Sequence, residues 1–285
     1  IMNISTKAKI YLASLINHPI VFIFNKVFKS GVIRVKRRGI KWELDITEGI
    51  DFSIFIFGLF EKTTSEAINR LLSDGDVVID IGANIGAHTL PMAKLVGKRG
   101  RVYAVEPTNY AYDKLTNNLS INKNLSQRVQ VDQVILINNG SRAKVEGLYS
   151  SWPLSDNGKN SKRHAVHQGV LRSISKAKER TLDDYVSMNN ITSLDLIKLD
   201  VDGNELEVLG GAKNILKNLK PTIIMELAPE QYVEYADFFK VVDTLVSAGY
   251  RYYSLDEKSE YSNEPHKLIE NIPKNGSINV VARVV

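Results

Sequence analysis

Cysteine is missing from this sequence of 285 residues. Its absence excludes a disulfide scaffold, a thiolate zinc site, an iron–sulfur cluster and a cysteine nucleophile. Long apolar runs are missing too, because the most apolar N-terminal stretch, residues 10–28, is interrupted by Asn17-His18-Pro19 and by Lys26. No run approaches the ~20 residues of a membrane-spanning helix, and without a small-residue cleavage site we expect no signal peptide. What is present, 44% apolar and 24% charged residues, is typical of a globular protein.

Acidic residues are absent from the first 41 positions, which carry nine basic side chains. These are Lys7, Lys9, Lys26, Lys29, Arg34, Lys36, Arg37, Arg38 and Lys41. The remaining chain holds 28 basic and 32 acidic residues, so the formal charge of +5 belongs to this basic arm. We expect the arm to pack on the body with a solvated basic face. The alternative is peripheral contact with the cytoplasmic face of a membrane, and the protein is expected to be cytoplasmic.

Strands and helices alternate along the chain from residue 74 onward. The predicted strands are residues 77–81, 102–105, 129–134, 194–199 and 222–225, and the predicted helices are 87–96, 109–119, 205–219 and 230–248. This alternation predicts a doubly wound, mostly parallel α/β sheet with helices on both faces. Two later strands, 251–255 and 278–283, bring the sheet to seven strands as an antiparallel pair at its edge.

The first 72 residues differ in pattern from the rest. Residues 32–35 and 42–44 flank Arg37-Arg38-Gly39, which predicts a β-hairpin, and residues 65–72 read as a helix. We therefore predict an N-terminal helical and hairpin extension over residues 1–72 and a main domain over 73–285. Within that domain residues 150–180 interrupt the alternation with a polar, basic insert, which we expect to be a functional or disordered loop on the acceptor side.

The strongest local signal runs from Val77 to Gly86, where a buried strand enters a glycine-containing turn and then a helix. Gly82 and Gly86 let the backbone pass close to a ligand at the carboxyl end of the strand. Their spacing is not G-x-G-x-x-G, so the dinucleotide fingerprint is absent. Asp80 would repel a pyrophosphate and suits a ligand with an ammonium or sulfonium charge, such as the methionine part of S-adenosylmethionine.

The next two strands end in groups that suit the rest of a nucleoside. Glu106 follows Gly82 by 24 residues, and an acid there can accept hydrogen bonds from both ribose hydroxyls. Pro107 fixes the turn after it. The third strand ends at Asp132 and Gln133, where a carboxylate or amide can accept the exocyclic amine of adenine. The sequence therefore predicts a binding site for a nucleotide-like ligand, which begins with the acidic residue Asp80.

Strand 194–199 is followed at once by a carboxylate. Strand alternation places Lys198 and Asp200 on one side, with Asp200 facing the cleft. Lys198 has either a direct role or forms a buried salt bridge to Asp80 or Asp200. Glu226 ends the fifth strand and is predicted to line the same cleft.

From about residue 51 to 281 the chain resembles the FkbM family of methyltransferases, which have the class I, Rossmann-like S-adenosylmethionine-dependent fold. The segments that carry the resemblance are Gly58-Leu59-Phe60-Glu61, Gly75 through Gly86, Val105-Glu106-Pro107, Thr181-Leu182-Asp183 and Ile197 through Glu205. The family usually has a glutamate at Asp202 and an aromatic residue at His88. The resemblance implies O-methylation of a hydroxyl, often on a sugar or natural product.

The resemblance and the spacing together define a candidate site. The cofactor-binding residues are expected to be Glu61, Asp80, Gly82, Ala83, Asn84, Gly86, Glu106, Pro107, Asp132 and Gln133, with S-adenosyl-L-methionine as the cofactor. The catalytic candidates are Asp200, Lys198 and His167. Asp200 is the first choice as general base because of its strand-end position, and His164 or His167 of the insert would approach by closure of a lid. His88 could touch the cofactor or the acceptor.

Other functions are disfavoured by particular residues. A nicotinamide oxidoreductase should show the missing third glycine. A nucleic-acid-binding module would use the arm and the insert but would leave Asp80 and Glu106 unexplained, so no nucleic-acid partner is expected. We expect no metal, although a metal-dependent O-methyltransferase is an alternative in which Asp200, Asp202 and Glu226 supply oxygen ligands. The expected partner is a small-molecule or glycan acceptor with a hydroxyl group.

Overall fold

A computed structural model describes residues 31–140, 147–154, 169–232 and 234–285. Residues 1–30 of the basic arm lie outside the described residues, as do His164 and His167 of the insert. The prediction that His167 is catalytic therefore stays a prediction. Within the described ranges, no helix has both the length and the apolar character needed to cross a membrane.

A seven-stranded sheet forms the centre of the fold, with the order β12-β13-β11-β10-β3-β4-β5. Its strands are β3 (Val77–Ile81), β4 (Arg101–Val105), β5 (Val129–Asp132), β10 (Leu196–Leu199), β11 (Thr222–Leu227), β12 (Tyr250–Ser254) and β13 (Ile278–Val284). Only β13 runs antiparallel to its neighbours, β11 and β12. The doubly wound, mostly parallel seven-stranded sheet is thereby confirmed. The late antiparallel pair is confirmed too, with β12 as the edge strand.

Six further strands among the described residues form three small sheets. They are β1 (Val32–Arg37), β2 (Ile40–Asp45), β6 (Val134–Leu136), β7 (Gly147–Ser151), β8 (Val170–Ser173) and β9 (Lys178–Arg180). β1 and β2 form the predicted hairpin, β6 pairs with β9 in parallel, and β7 pairs with β8 antiparallel. The described ends of the insert are therefore strands, where the sequence predicted a loop.

The described helices flank the central sheet. They are α1 (Gly49–Phe57), α2 (Lys62–Leu71), α3 (Thr89–Leu95), α4 (Asn109–Ser120), α5 (Lys123–Ser126), α6 (Leu182–Met188), α7 (Glu205–Gly210), α8 (Tyr235–Ser247) and α9 (Pro265–Leu268). Two hydrophobic clusters hold the layers together. One of them joins Trp42 and Leu44 of β2 and Ile68 of α2 to Val78 of β3 and Leu90 of α3. The described part of the extension thus shares a core with the main sheet, and the domain boundary at residue 72 stays a prediction.

Two predicted elements are each broken into two. The predicted strand 129–134 ends at Asp132, because the Gln133 carbonyl turns to accept the Lys178 N–H at 3.0 Å and the chain continues into β6 in a different sheet. The predicted helix 205–219 ends at Gly210 and resumes as a π-helical turn at Ile215–Leu219. There the Asp183 carboxylate accepts from the backbone N–H groups of residues 214 and 215. In both places, long-range partners override the local pattern.

Candidate functional site

The register of the central strands brings the predicted site residues together. Lys198 on β10 pairs with Asp80 on β3, and Leu199 pairs with Ile81 on one side and Met225 on the other. Asp200 and Glu226, which follow these pairs, therefore stand level at the carboxyl edge of the sheet. The fold therefore places these residues at one edge of the sheet, as predicted, and the cleft itself stays a prediction.

Gly82 is required by the way the turn after β3 crosses the end of β10. Its φ is +76°, and a Cβ built on it would lie 1.8 Å from the backbone oxygen of Asp200. No side chain fits in that space, so only glycine allows the two chain segments to come this close. Gly86 also has a positive φ, +90°, and Asn84 between them has a φ of +49°. The turn from Gly82 to Gly86 is therefore packed closely against the end of β10.

The Asp80 carboxylate is fully buried beneath that turn. Its Oδ2 accepts from the Thr89 hydroxyl at 2.6 Å. Its Oδ1 lies 3.9 Å from the Lys198 ammonium, and no described residue donates a hydrogen bond to it. Buried carboxylate oxygens normally have donors, so this oxygen marks a place where a cationic or hydrogen-bond-donating ligand would be stabilised.

Lys198 is the buried cation that contacts the carboxylates at this edge of the sheet. Its Nζ lies 3.0 Å from Asp200 Oδ2 and 3.4 Å from the Gly82 carbonyl oxygen. Burial by itself lowers the pKa of Lys198, but the carboxylates of Asp200 and Asp80 outweigh burial and raise it. The structure shows the buried salt bridge, which includes both carboxylates, and the direct catalytic role of Lys198 stays a prediction.

Three carboxylates cluster beside that lysine. Oxygen atoms of Asp200, Asp202 and Glu226 lie within 4.8 Å of one another. Burial, together with the Asp200 carboxylate, raises the pKa of Glu226 to about 8 and also raises the pKa of Asp202. The cluster therefore binds a proton more tightly than isolated carboxylates do. The expectation of a metal-free reaction is not tested by this geometry and stays a prediction.

Glu106 ties the end of β4 to the turn and to the start of α4. Its Oε1 accepts from the Thr108 N–H at 2.9 Å and from the Thr108 hydroxyl at 2.6 Å, and its Oε2 accepts from the Asn84 N–H at 2.9 Å. A carboxylate offers about four acceptor positions, so Oε2 retains one. Its role toward ribose stays a prediction.

Asp132 and Gln133 lie beside Glu106 as predicted but have protein partners. Asp132 Oδ2 accepts from the Tyr185 hydroxyl at 2.7 Å and from Gln130 Nε2 at 2.9 Å. Gln133 Nε2 donates to Asn109 Oδ1 at 2.7 Å. The Gln133 side chain therefore lies where α4 begins, one turn from Glu106. Contact with adenine stays a prediction for both residues.

The start of the insert lies directly over the predicted cofactor residues, which no sequence signal indicated. The Ser150 carbonyl accepts from Asn84 Nδ2 at 3.0 Å, and the Ser150 and Thr108 hydroxyls are 2.8 Å apart. Arg172 on the paired strand donates to the Ser151 hydroxyl at 2.9 Å. The β7–β8 hairpin is thus fixed to the site, and residues 155–168 connect its two strands.

Glu61 and His88 lie next to each other at the site, a contact that the sequence did not predict. Glu61 precedes α2 and His88 precedes α3, and their Oε2 and Nε2 atoms are 3.7 Å apart. Burial alone would raise the pKa of Glu61, but His88 and Lys198 outweigh it and lower that pKa. The sequence singled out each residue separately, because helices α2 and α3 come together only in the folded chain.

Comparison with known proteins gives a family match. Residues 80–252 match the family model described as the methyltransferase FkbM domain. The hexuronic acid methyltransferase AglP of Haloferax volcanii is 27% identical over 162 residues, which are 56% of this chain and 60% of that protein. The 2-O-methyltransferase NoeI of Sinorhizobium fredii is 27% identical over 174 residues, or 57% of this chain and 70% of that protein.

Solved structures are similar at lower identity. A methyltransferase FkbM from Methylobacillus flagellatus is 16% identical with a TM-score of 0.46, over 82% of this chain and 59% of that one. A SAM-dependent methyltransferase from Aquifex aeolicus is 15% identical with a TM-score of 0.43, over 83% of this chain and 95% of that one.

Proposed function

The chain belongs to the FkbM family of methyltransferases, and we propose that it uses S-adenosyl-L-methionine to methylate a hydroxyl group of a sugar. One observation carries the choice of cofactor. The buried Asp80 has an oxygen to which no described residue donates, at the start of a turn that only Gly82 can form. A ligand that is cationic at one end and a nucleoside at the other fits this arrangement, whereas a pyrophosphate beside Asp80 would be repelled.

The residues proposed to hold the cofactor follow the edge of the sheet. Asp80, Glu61 and the turn from Gly82 to Gly86 would hold its methionine part. Glu106 would accept from its ribose through Oε2, and Pro107, Asp132 and Gln133 would surround its adenine. When bound, the cofactor supplies an electrophilic methyl group on a positively charged sulfur.

Asp200 faces the position where the acceptor would enter, and Lys198 fixes its carboxylate at 3.0 Å. We propose that Asp200 accepts a hydrogen bond from the acceptor hydroxyl and so aims its oxygen at the methyl carbon. Holding two reactants in line contributes up to ~7–11 kcal/mol to a bimolecular reaction. Orientation is therefore the main contribution of these side chains, and Asp200 remains a candidate general base, as the sequence predicts.

The proposed acceptor is an acidic sugar, a class suggested by the name of one relative, the hexuronic acid methyltransferase AglP. Two features of the insert support it. Lys176 and Lys178 are exposed, and Ser175 beside them hydrogen-bonds Asn109 at the start of α4. Trp152 lies at the other end of the hairpin, where its side chain is half-buried. Exposed cations and aromatic rings are the groups that bind the carboxylate and the face of a hexuronic acid.

Calorimetry tests the cofactor directly. We expect wild type to bind S-adenosylmethionine and Glu106→Ala to bind it at least ~10-fold more weakly, a loss of ~1.4 kcal/mol. Glu230→Ala is the matched control, because Glu230 is exposed and lies outside the site. Tight binding of NAD in place of S-adenosylmethionine, or no binding of either, would contradict the proposal.

Mass spectrometry tests the acceptor. The wild-type protein, the cofactor and 4-nitrophenyl β-D-glucuronide are incubated together, and the corresponding glucoside serves as the control without a carboxylate. We expect a methylated glucuronide and less methylated glucoside. Equal methylation of the two would show that the carboxylate is not recognised, and cofactor binding without methylation of either would refute the acceptor class while leaving the cofactor assignment intact.

A further inference from the structure

The β1–β2 hairpin carries two exposed lysines that face each other. Lys36 on β1 pairs directly with Lys41 on β2, and both side chains are exposed. Like charges opposite each other on neighbouring strands destabilise a hairpin. Glu43, the first acidic residue of the chain, does not offset them, because it is paired with Arg34 at 2.7 Å. The end of the hairpin therefore concentrates positive charge that its nearest acidic residue in sequence does not neutralise.

Three further exposed cations lie around this pair. Arg38 stands in the hairpin turn, and its carbonyl accepts from Lys94 Nζ of α3 at 3.2 Å. The Asn122 side chain, next to Lys123 at the start of α5, accepts from the Lys41 N–H at 3.0 Å and donates to the Lys41 carbonyl at 2.6 Å. These contacts bring the ends of two helices, each with an exposed lysine, to the end of the hairpin.

Together these side chains form a cationic surface, which we call the hairpin patch. Its members are Lys36, Arg38, Lys41, Lys94 and Lys123. All five are exposed, and within the described part of the chain none of them forms an ion pair with a carboxylate. Cations that the fold leaves without counter-charges attract an anionic partner from solution.

Apolar side chains are exposed next to the patch, at the end of α1. Phe57 is 67% exposed and Ile56 is 40% exposed. Gly58, which follows them, contacts the patch, because a Cβ built on it would lie 3.4 Å from the Arg38 Cγ atom. The Arg37 Nε donates to a carbonyl in the last turn of α1 at 2.7 Å, which fixes the helix to the hairpin. An exposed ring beside unpaired cations is typical of surfaces that enter the membrane interface.

We propose that the hairpin patch and Phe57 dock the protein on an anionic phospholipid bilayer. The cations of the patch would contact the charged lipid headgroups, and each adds to the attraction near a negatively charged leaflet. The Phe57 ring and the Ile56 side chain would enter the boundary between headgroups and acyl chains. This surface shares no residue with the site proposed to hold the cofactor, so the docking does not depend on the proposed function.

Charge argues against two other occupants of this surface. A second copy docked through the same patch would bring like charges together. Residues 1–30 of this chain contain four lysines and no acidic residue, so they cannot neutralise the patch. A nucleic acid would neutralise it, but Ile56 offers no aromatic face on which a base could stack. An anionic bilayer is the partner that suits both the cations and the apolar side chains.

Sedimentation with lipid vesicles tests the docking of the full chain. One set of vesicles contains phosphatidylcholine with about 30% phosphatidylserine, and the other contains phosphatidylcholine alone. We expect wild type to bind the anionic vesicles at least ~10-fold more tightly than the neutral ones. Binding should weaken as the NaCl concentration rises from ~0.1 to ~0.5 M, because salt screens the attraction.

Three substitutions in the patch test the role of the cations. The variant Lys36→Gln/Arg38→Gln/Lys41→Gln should bind the anionic vesicles at least ~10-fold more weakly than wild type. Its melting temperature should stay within ~3 °C of wild type, because the side chains are exposed and removal of the facing lysines relieves their repulsion.

The matched control makes the same change of charge elsewhere on the surface. The variant Lys213→Gln/Lys217→Gln/Lys220→Gln alters three exposed lysines around the π-helical turn. It also replaces one left-handed residue, since Lys220 has a φ of +49° and Arg38 has a φ of +48°. Its binding to the anionic vesicles should stay within about threefold of wild type.

A single substitution tests the apolar part of the surface. Phe57→Ser should bind the anionic vesicles at least ~3-fold more weakly, because the variant has no ring to transfer out of water. The control is Met188→Ser, since Met188 in α6 is 64% exposed, and it should bind as wild type does. If its melting temperature shows that the triple patch variant does not fold, the comparison of Phe57→Ser with Met188→Ser decides the test.

Four outcomes would overturn the proposal. The first is equal binding of wild type to anionic and neutral vesicles, or binding to neither. The second is an equal effect of the two triple variants, which would assign any binding to net charge or to another part of the chain. The third is Phe57→Ser binding as wild type does. The fourth is tighter binding to single-stranded DNA than to vesicles at the same salt concentration, lost only in the patch variant, which would make the patch a nucleic-acid surface.

Discussion

The ammonium of Lys198 lies 3.0 Å from the carboxylate of Asp200, two residues further along the chain and just beyond the end of β10. The same ammonium lies 3.9 Å from Asp80 on the neighbouring strand. One buried cation thus joins the strand before the glycine turn to the strand that ends at the proposed reaction centre. The geometry of the cleft depends on this contact.

Replacing Lys198 should therefore destabilise the fold. In Lys198→Met the fully buried Asp80 loses its only described ion-pair partner. Removing one member of a buried pair costs about 3–5 kcal/mol, and we expect that loss in the free energy of unfolding measured by urea denaturation. Lys217→Met, at an exposed position, is the control and should change it by less than ~0.5 kcal/mol. Equal stabilities of the two variants would show that the ion pair contributes little.

Alanine substitutions at Gly82 and at Gly249 distinguish the cost of a left-handed backbone conformation from the cost of a steric clash. Both have a positive φ, +76° and +89°, but the nearest atom to a Cβ at Gly249 is 4.0 Å away, compared with 1.8 Å at Gly82. Gly249→Ala should lose only the ~1–2 kcal/mol of left-handed strain. Gly82→Ala should lose more than that and should also bind S-adenosylmethionine more weakly in calorimetry. Wild-type cofactor affinity in Gly82→Ala would contradict the close approach of the turn to β10.

The raised pKa of Glu226 predicts how stability depends on pH. Burial and the Asp200 carboxylate raise this pKa from 4.5 to about 8, so between these values the folded state holds a proton that the unfolded state has lost. Stability therefore falls as pH rises through this range. We expect the melting temperature of wild type to decrease more steeply from pH 5 to pH 8 than that of Glu226→Gln. The exposed Glu230→Gln should follow wild type, and a Glu226→Gln slope equal to wild type would refute the prediction.

Removal of divalent cations tests the expectation of a metal-free reaction. Lys198 already pairs with Asp200, and the raised pKa of Glu226 means that a proton offsets part of the remaining negative charge. We therefore expect the methylation rate to be unchanged after dialysis against EDTA and not to increase when Mg²⁺ is added. A rate lost with EDTA and restored by Mg²⁺ would favour the metal-dependent alternative, with Asp200, Asp202 and Glu226 as ligands.

Much of the site was predictable because its signals are local. The run from Val77 to Gly86 contains a strand, a turn and a helix start within ten residues. Hydrophobic periodicity and glycine are sufficient to identify such a unit. Glu106 and Asp200 were predicted for the same reason, since each directly follows a buried apolar run.

The errors in the prediction occur where a distant segment supplies the contact. Residues 129–134 have a continuous strand pattern, yet Gln133 leaves the sheet to bind β9. Residues 205–219 have a continuous helical pattern, yet Asp183 starts a second helical segment within it. Local propensity cannot include a partner that lies far along the chain.

The sequence by itself determined the class of fold, the acidic start of the ligand turn and the strand ends where the chemistry is expected, because these depend on periodicity over a few residues. Only the tertiary structure decided that one lysine compensates two carboxylates, that Glu61 meets His88, and that Ser150 bonds to Asn84 and Thr108. Those relationships depend on which strands are neighbours and in which register they pair. Strand order and register result from packing of the whole domain, which no short segment encodes.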